Sequence, residues 1–313
     1  MATAATAPLI LRVLSSSVKV INRAGKIIRD VMNKGNLGIV EKGINDLQTE
    51  ADRSAQRCIV SSLTRQFPKI EIIGEETLDP QEKDVEDDFI VSDYDSEVLK
   101  SKCPDELKSI VDEDVVIWVD PVDGTSEYTQ GLLDHVTVLI GISVHGKAVG
   151  GVIHQPFFNY KANDPTQLGR TIWGLVGLGA FGFTHHLPPT NKRIITTTRS
   201  HSTPEVQAAL DAMEADEILR VGGAGHKVLL LLEGKAHAYV FASPGCKKWD
   251  TCAPEAVLKC VGGWLTDVHG NELEYHKNVK HRNSGGVLAV YDKEVHSWYC
   301  TRIPDAVRNL LKP

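Results

Sequence analysis

Two aspartates, Asp120 and Asp123, follow a run of apolar residues in the stretch VVIWVDPVDGT. Pro121 lies between them, and because its ring fixes φ it favours a turn. Such a turn can direct both carboxylates, together with a main-chain carbonyl, toward one point. Converging oxygen ligands suit Mg²⁺. A solvated turn in which an aspartate caps the next helix is the simpler alternative, and this spacing alone leaves both interpretations open.

Three further acidic segments lie where strands or helices are expected to begin or end. GEE at 74–76 follows an apolar stretch, Asp250 comes one residue before Thr251 at an expected helix start, and TEAD supplies Asp52. Taken singly, each has a simple structural role, with Glu76 as a surface charge and Asp250 as a helix cap. No matching basic cluster lies beside them in the sequence. Four acidic elements together therefore favour a shared cation site.

These segments, in this order, resemble the magnesium-dependent, lithium-sensitive phosphatase superfamily that includes the inositol monophosphatases. The shared motifs are GEE, WVDPVDGT and WDTCAPEA. Other stretches resemble one branch of that superfamily, the 3′(2′),5′-bisphosphate nucleotidases, namely DLQTEAD, TRSHS, RVGGAGHK and SPGCKKWDTCAPEA. The resemblance extends from about Asp46 to near the C-terminus. The acidic segment 79–103 is longer than in inositol monophosphatases, which also favours the nucleotidases.

The resemblance implies a metal site and its ligands. No position of the metal motif departs from the family pattern. The reaction that it implies is hydrolysis of a phosphate monoester by an activated water, without a cysteine, serine or histidine nucleophile. Two or three Mg²⁺ ions would be bound by Glu75, Asp120, the carbonyl of Val122, Asp123 and Asp250.

The resemblance also implies residues that handle water and substrate. Asp52 would lie on the third-metal, water-activating side, and Thr125 would orient the nucleophilic water. The amides of Gly124 and Thr125 would face the phosphate, as a helix N-terminus can. On the residues alone, GGAG could equally allow a helix and a strand to pack closely. The implied nucleotide contacts are Thr198, His201, Gly223 and Lys227, with Ser200 as a neighbour.

Three functions remain open at this point. The first is a nucleotidase that removes the 3′-phosphate of adenosine 3′,5′-bisphosphate, with 3′-phosphoadenylyl sulfate and 2′,5′-bisphosphates as further candidate substrates. The second is an inositol polyphosphate 1-phosphatase that acts on inositol 1,4-bisphosphate. The third is a non-enzymatic nucleotide or metal sensor on the same fold. The intact carboxylate set disfavours the sensor, and the nucleotide motifs favour the first function, with inhibition by Li⁺.

The elements that must position these residues alternate along the chain. VVIWV, apolar at each position, predicts a strand buried on both faces, and the next two apolar runs predict a hairpin with its turn at 145–147. The second half predicts alternating strands and helices, so the fold class is α/β. The resemblance implies a layered α-β-α-β-α sandwich. We expect two lobes in one catalytic unit, 1–185 with most metal ligands and 186–313 with Asp250 and the nucleotide contacts.

The composition argues against several classes of protein. The 313 residues carry a formal net charge of −7, which disfavours a nucleic-acid partner. The six cysteines are scattered and include no C-x-x-C pair, so they indicate neither a disulfide framework nor a zinc site. Charged residues interrupt the apolar N-terminus, which predicts an amphipathic helix rather than a targeting or membrane segment. We therefore expect a cytoplasmic protein without a membrane partner, and the resemblance implies a monomer.

Overall fold

The computed structural model of the chain describes residues 6–43, 46–77, 89–162, 165–200 and 202–313. Within these ranges, no helix has the length and hydrophobicity needed to cross a membrane. The helices are α1 (Leu9–Lys34), α2 (Glu50–Gln66), α3 (Ser96–Lys100), α4 (Thr125–Thr129), α5 (Pro204–Asp211), α6 (Ala224–Leu232), α7 (Lys248–Lys259), α8 (His296–Arg302) and α9 (Asp305–Leu310). The strands are β1 (Val40–Gly43), β2 (Asp46–Gln48), β3 (Glu71–Gly74), β4 (Val115–Asp123), β5 (Thr137–Val144), β6 (Lys147–Gln155), β7 (Arg170–Leu175), β8 (Gly179–Phe181), β9 (Ile194–Thr198), β10 (Glu217–Val221), β11 (Ala238–Phe241), β12 (Trp264–Thr266) and β13 (Val287–Val290).

The first large sheet has the strand order β3-β4-β5-β6-β7-β8. β3 and β4 are parallel, and the other neighbours are antiparallel. β4 is buried along its whole length, which confirms the predicted strand covered on both faces. β5 and β6 form the predicted hairpin, in which Val144 pairs with Lys147 across the turn. The acidic segment 79–103, which leads from β3 toward β4, lies partly outside the described residues.

The second large sheet has the strand order β10-β9-β11-β13-β12. β9 is parallel to both of its neighbours, whereas β13 is antiparallel to β11 and β12. Because β9, β10 and β11 are parallel, their carboxyl ends lie at one edge of the sheet. Ligands of open α/β sheets bind at such edges. At the start of α5 the Thr203 hydroxyl accepts from the N–H of Val206, and Pro204 is the first helical residue.

Five layers follow from how the helices cover the two sheets. α1 and α2 pack on one face of the first sheet, in a core that includes Ile28, Ile59 and Ile140. α6 and α7 fill the space between the sheets, and α5, α8 and α9 cover the far face of the second sheet. Each large apolar side chain buried in these cores stabilises the fold by roughly 1.5–3 kcal/mol. The order α-β-α-β-α confirms the predicted fold class.

The predicted boundary between lobes falls between the two large sheets. The first sheet ends before residue 186 and the second begins after it. α7 belongs to the second half of the chain, yet it packs directly on β5 and β6 of the first. We therefore propose that 1–185 and 186–313 are lobes of one catalytic unit, since neither sheet covers α7 without the other.

The contact between α7 and β6 requires a glycine at residue 151. We expect Gly151→Ala to lower the free energy of unfolding by about 1–3 kcal/mol, because overpacking shifts backbone in a filled core. The added Cβ would lie 2.4 Å from the carbonyl oxygen of Ala253 in α7. Gly150→Ala is the matched control, since the nearest atoms to its Cβ would be side-chain carbons of Ile142 and Leu175 at 3.4–3.6 Å, which are ordinary contact distances. Urea denaturation compares the two variants, and equal stabilities would contradict this close packing.

Candidate active site

Asp120 and Asp123 lie at the end of β4, where the pairing with β5 becomes irregular. The register shifts between these two residues, so the strand runs through the D-P-V-D segment with a distortion instead of ending before it. Pro121, which has no N–H to donate, sits in this distortion. The carboxylate of Asp120 accepts from the N–H of Val122 at 3.1 Å, which turns the backbone as an Asx turn does. The predicted turn is thus a local irregularity within a strand.

Asp123 links the two lobes. Its carboxylate accepts from the Thr137 hydroxyl at 2.5 Å and from the N–H groups of Ala224 and Gly225 at 2.7 and 2.8 Å. These amides belong to the first turn of α6, where unpaired N–H groups favour an anion. Residue 225 must be glycine for this approach, since a Cβ there would lie 2.6 Å from Thr137 Oγ1. A side chain of the first lobe therefore caps a helix of the second.

Asp250 lies inside the first turn of α7. The sequence predicted a helix start next to Thr251, but the helix begins at Lys248, so that prediction was wrong. The N–H of Lys248, which has no partner within the helix, donates to the carbonyl of His281 at 2.7 Å, a tertiary contact that the local sequence does not record. Asp250 Oδ2 accepts from the N–H of Lys247 at 2.6 Å. This bond fixes the carboxylate at the helix N-terminus, facing Asp120.

Glu75 and Glu76 follow β3 and have different surroundings. Glu75 is partly exposed and lies 3.4 Å from Lys42 Nζ. Glu76 is only 6% exposed, so its predicted role as a surface charge was wrong. It turns inward because the buried Gln56 side chain binds both its N–H and its carbonyl. Its carboxylate pairs with Lys42 at 2.7 Å and accepts from Gln48.

Asp52 and Thr125 form a hydrogen-bonded pair between α2 and α4. Asp52 is fully buried, and its Oδ2 accepts from the N–H and the hydroxyl of Thr49, at 2.8 and 2.5 Å. Its Oδ1 lies 3.0 Å from Thr125 Oγ1, which also lies 2.9 Å from the carbonyl oxygen of Val122. Burial raises the pKa of Asp52 to about 6, although the bonds from Thr49 oppose the rise. The pair thus joins a buried carboxyl group to the D-P-V-D segment.

One open cavity of about 200 Å³ brings most of the predicted site residues together. Asp52 contacts it through Thr125, and His201 lies outside the described residues. Ser200 is also part of its wall. The predicted residues that line it are Glu75, Asp120, Val122, Asp123, Gly124, Thr125, Thr198, Gly223, Lys227 and Asp250.

The protein opposes the ionisation of the four acidic side chains among the predicted metal ligands. Burial is the largest cause, and repulsion between neighbouring carboxylates adds to it for Glu75, Asp120 and Asp123. The pKa of Glu75 is raised to about 8 and that of Asp123 to about 6. The pKa values of Asp120 and Asp250 are also raised. A cation among these groups would favour their charged forms.

The side chains fit Mg²⁺ by their chemistry. Among the described residues, no three His, Cys, Asp or Glu side chains already surround one point as metal ligands do. Asp120, Asp123 and Asp250 instead accept hydrogen bonds from nearby main-chain amides. The available donors are carboxylate and carbonyl oxygens, which Mg²⁺ prefers, and the raised pKa values indicate that positive charge is needed. The set is therefore suited to a hard divalent cation.

The predicted nucleotide contacts lie at the carboxyl end of β9 and the start of α6. Thr198 is the last residue of β9 and is buried, and Gly223 directly precedes α6. Lys227 is 5% exposed, and its Nζ donates to the carbonyl of Gly223 at 2.9 Å. Burial lowers its pKa, whereas nearby carboxylates, including that of Asp123, act to raise it. A buried ammonium group thus faces the carboxylates across the cavity.

Glu127 is a cavity residue and Arg199 is its ion-pair partner, and the sequence patterns singled out neither of them. Glu127 lines the cavity from α4 and is only 3% exposed. Its Oε1 lies 3.2 Å from Nη2 of Arg199, which also donates to Gln130 at 2.7 Å. Both residues lie close in sequence to predicted site residues, and this proximity is the signal by which they could have been predicted. An acidic residue in a five-residue helix has no periodic pattern that marks it as buried.

Comparison with known proteins adds to this geometry. The sequence model of the inositol monophosphatase family matches residues 11–307. The 3′(2′),5′-bisphosphate nucleotidase 1 of Homo sapiens is 56% identical over 305 residues, covering 97% of this chain and 98% of that protein. The protein of the same name from Dictyostelium discoideum is 40% identical, covering 89% of this chain and 92% of its own.

The solved structures agree on the fold. The extragenic suppressor protein suhB from Bartonella henselae superposes with a TM-score of 0.67 at 20% identity, covering 93% of this chain and 97% of that one. At this identity the likeness concerns the fold alone. The family match, by contrast, spans nearly the whole chain and includes all the carboxylates that meet at the cavity. The chain therefore belongs to the inositol monophosphatase family.

Proposed function

We propose that the chain hydrolyses the 3′-phosphate of adenosine 3′,5′-bisphosphate to give AMP and phosphate, with Mg²⁺ as cofactor and Li⁺ as inhibitor. The observation that carries the proposal is the cavity in which carboxylates of both lobes meet Lys227. Similarity to a Homo sapiens protein named as a bisphosphate nucleotidase, at 56% identity, supports it. 3′-Phosphoadenylyl sulfate and adenosine 2′,5′-bisphosphate are further candidate substrates.

The metal would be held by oxygen atoms on elements that the core fixes. Glu75, Asp120, Asp123, Asp250 and the carbonyl of Val122 would hold two or three Mg²⁺ ions. Bound Mg²⁺ supplies activation of the water nucleophile and neutralisation of phosphoryl charge. The protein contributes rigidity, because most of these oxygens belong to β4 and the first turn of α7, where neighbouring amides restrain them.

Thr125 and Asp52 would remove the proton from the attacking water. If the Thr125 hydroxyl donates to Asp52 Oδ1 at 3.0 Å, its oxygen is left to accept a hydrogen bond from the water. The water proton then passes to Thr125 Oγ1 as the threonine proton moves to Asp52. A pKa of about 6 for Asp52 suits a general base that works near neutral pH.

Lys227 and the amides of Gly124 and Thr125 would bind the phosphate groups of the substrate. The buried ammonium of Lys227 acts at low local dielectric, where attraction to a phosphate is stronger than in water. Gly124 directly precedes α4 and Thr125 is its first residue. Their amides would bind the phosphate group that is hydrolysed. Thr198, His201 and Gly223 would contact the rest of the nucleotide.

We further propose that the protein acts as a cytoplasmic monomer on a small-molecule bisphosphate, without nucleic-acid or membrane partners. A net charge of −7 disfavours binding to a polyanion.

Phosphate release from a panel of substrates tests this function. With Mg²⁺ present, we expect kcat/KM for adenosine 3′,5′-bisphosphate to exceed that for inositol 1,4-bisphosphate by at least about tenfold, because polar groups of the site would stay unpaired with the smaller substrate. EDTA should abolish the release, and Li⁺ should inhibit it. Preference for inositol 1,4-bisphosphate would indicate an inositol polyphosphate 1-phosphatase instead. Tight nucleotide binding without turnover of either substrate would indicate a sensor.

A further inference from the structure

A buried polar network surrounds the first two turns of α7, the helix that carries Asp250. The Tyr275 hydroxyl donates to Glu255 Oε2 at 2.5 Å, and its oxygen lies 3.1 Å from Thr251 Oγ1. Tyr275 is fully buried, and Glu255 is 1% exposed and paired with Lys259 at 2.6 Å. None of these four residues lines the cavity, so none of them is a candidate to touch the substrate.

Asn283 connects this network to the main chain that holds Asp250. Its Nδ2 donates to Thr251 Oγ1 at 3.1 Å and to the carbonyl of Lys247 at 2.9 Å. Lys247 in turn donates its N–H to Asp250 Oδ2 at 2.6 Å. A series of hydrogen bonds, joined through the backbone of Lys247, therefore connects the phenol of Tyr275 to the Asp250 carboxylate.

The hydrogen-bond capacity of each group explains why the phenol matters. The Thr251 hydroxyl accepts from Asn283, so it has one hydrogen left to donate. The carbonyls of Lys247 and Lys248 lie 3.3 Å away, farther than the phenolic oxygen. Among the described residues, Asn283 Oδ1 is buried without a partner, so Asn283 is oriented only through its amide nitrogen. If one hydroxyl of this buried network is removed, its hydrogen-bond partner is left unsatisfied, and the remaining groups are held less firmly.

We propose that Tyr275, Thr251 and Asn283 are positioning residues that fix the N-terminus of α7 and thereby aim the Asp250 carboxylate at the metal. The inference rests on the proposed role of Asp250 as a Mg²⁺ ligand. Partners in the outer shell of a metal site typically change metal affinity or activity by about 10–100-fold when they are replaced. Because this network acts through the main chain of Lys247, the lower end of that range is expected.

Tyr275→Phe in the full chain tests the inference. The variant loses one hydroxyl and keeps the ring, which packs edge-on against Trp118. We expect its Mg²⁺ affinity, measured by isothermal titration calorimetry without substrate, to fall about tenfold. The Mg²⁺ concentration for half-maximal phosphate release should rise by the same factor, with KM for the nucleotide unchanged at saturating Mg²⁺. Tyr299→Phe is the matched control, since Tyr299 is also buried but lies on α8 in the outermost helix layer.

A second pair of variants separates the hydroxyl of Thr251 from its shape. Thr251 is 1% exposed, so Thr251→Val removes the hydroxyl with little change in volume, whereas Thr251→Ser keeps the hydroxyl. We expect the valine variant to lose Mg²⁺ affinity about tenfold and the serine variant to retain it. A merely structural role would lower the stability of both variants without separating their Mg²⁺ affinities.

Two results would count against different statements. If Tyr275→Phe and Thr251→Val bind Mg²⁺ as tightly as the unaltered protein, the positioning role is wrong while the proposed function stands. If the unaltered protein neither binds Mg²⁺ nor releases phosphate, the proposed function itself has failed, and this is seen before any variant is compared.

Discussion

Asp120→Asn is expected to abolish turnover and leave the fold intact. The substitution removes a charge from a carboxylate that is 2% exposed and faces Asp250. We expect kcat/KM to fall by about 10³-fold or more, which corresponds to about 4 kcal/mol of lost transition-state stabilisation. The asparagine carbonyl can still accept from the N–H of Val122, so the backbone there should keep its conformation. Phosphate release at saturating Mg²⁺ measures the effect.

The same variant should be at least as stable as the unaltered protein in EDTA. The pKa of Asp120 is raised in the folded protein. At a pH above the usual pKa of aspartate, the carboxyl group therefore ionises readily in the unfolded state but not in the folded state. Ionisation therefore costs stability as pH rises, and asparagine removes that cost. We expect the melting temperature in EDTA to be unchanged or higher, and its increase on adding Mg²⁺ to be lost.

Asp267→Asn is the control for Asp120→Asn. Asp267 is also buried, at 3% exposed, but its carboxylate accepts from the N–H groups of His269 and Asn271, outside the cavity. We expect this variant to be less stable than the unaltered protein. Its turnover, and the dependence of that turnover on Mg²⁺, should be retained. Retained turnover in Asp120→Asn would refute the assignment of Asp120 as a metal ligand.

Thr125→Val should lower kcat by about 10²–10³-fold, the range expected for loss of general-base assistance. The valine keeps the shape of threonine but cannot pass a proton from water to Asp52. Because the main-chain amide of Thr125, its proposed phosphate contact, is kept in the variant, KM should change little. Thr125→Ser keeps the hydroxyl and should retain most of the activity. Steady-state phosphate release at saturating Mg²⁺ gives kcat for each variant.

Thr129→Val is the control for this substitution on the same helix. The Thr129 hydroxyl donates only to the carbonyl of Ser126, at 2.9 Å within α4. Its loss should leave kcat unchanged. A normal kcat in Thr125→Val would mean that Asp52 receives the proton without Thr125, and the proposed proton path would have to be abandoned.

The sequence alone could predict the elements in which the local pattern of residue types matches the final structure. β4 is apolar because both faces are covered, and the hairpin of β5 and β6 has a turn of His145 and Gly146, both at positive φ. Helix α5 has a threonine cap and a proline at its first position. In each case local pattern and final environment agree, so a window of a few residues carries the information.

β10 shows where such patterns fail. Its five residues, Glu217–Val221, are exposed or only partly buried, because it is the edge strand of the second sheet. Its side chains therefore do not alternate between buried and exposed positions, and the sequence shows no strand pattern. The start of α7 was misplaced for a different reason. Lys247, the residue before the helix, makes no side-chain cap bond that would mark the start in the sequence, and the first helical N–H is satisfied by His281, which is distant in sequence.

The motifs also indicated which residues form the candidate site, but not how they are supported. Asp120, Asp123 and Asp250 were named from their segments, whereas nothing in the spacing placed the Gln56 side chain against Glu76. The burial of Glu76 depends on hydrogen bonds to a residue that is distant in sequence. From the sequence alone, a charged residue at the end of a strand is therefore predicted to be exposed. Support of this kind comes from tertiary packing, which local sequence does not record.

The capping of α6 by Asp123 has a consequence for how the protein folds. β4, β5 and β6 are neighbours along the chain and can pair early, whereas α6 and α7 must travel from the second half to reach them. Contacts between segments so far apart form late, because a long loop must close first. The carboxylates proposed to bind cations therefore come together only when α6 and α7 dock against β4. A half-folded chain would expose these acids separately, and binding of a divalent ion would favour the completed form over every earlier one.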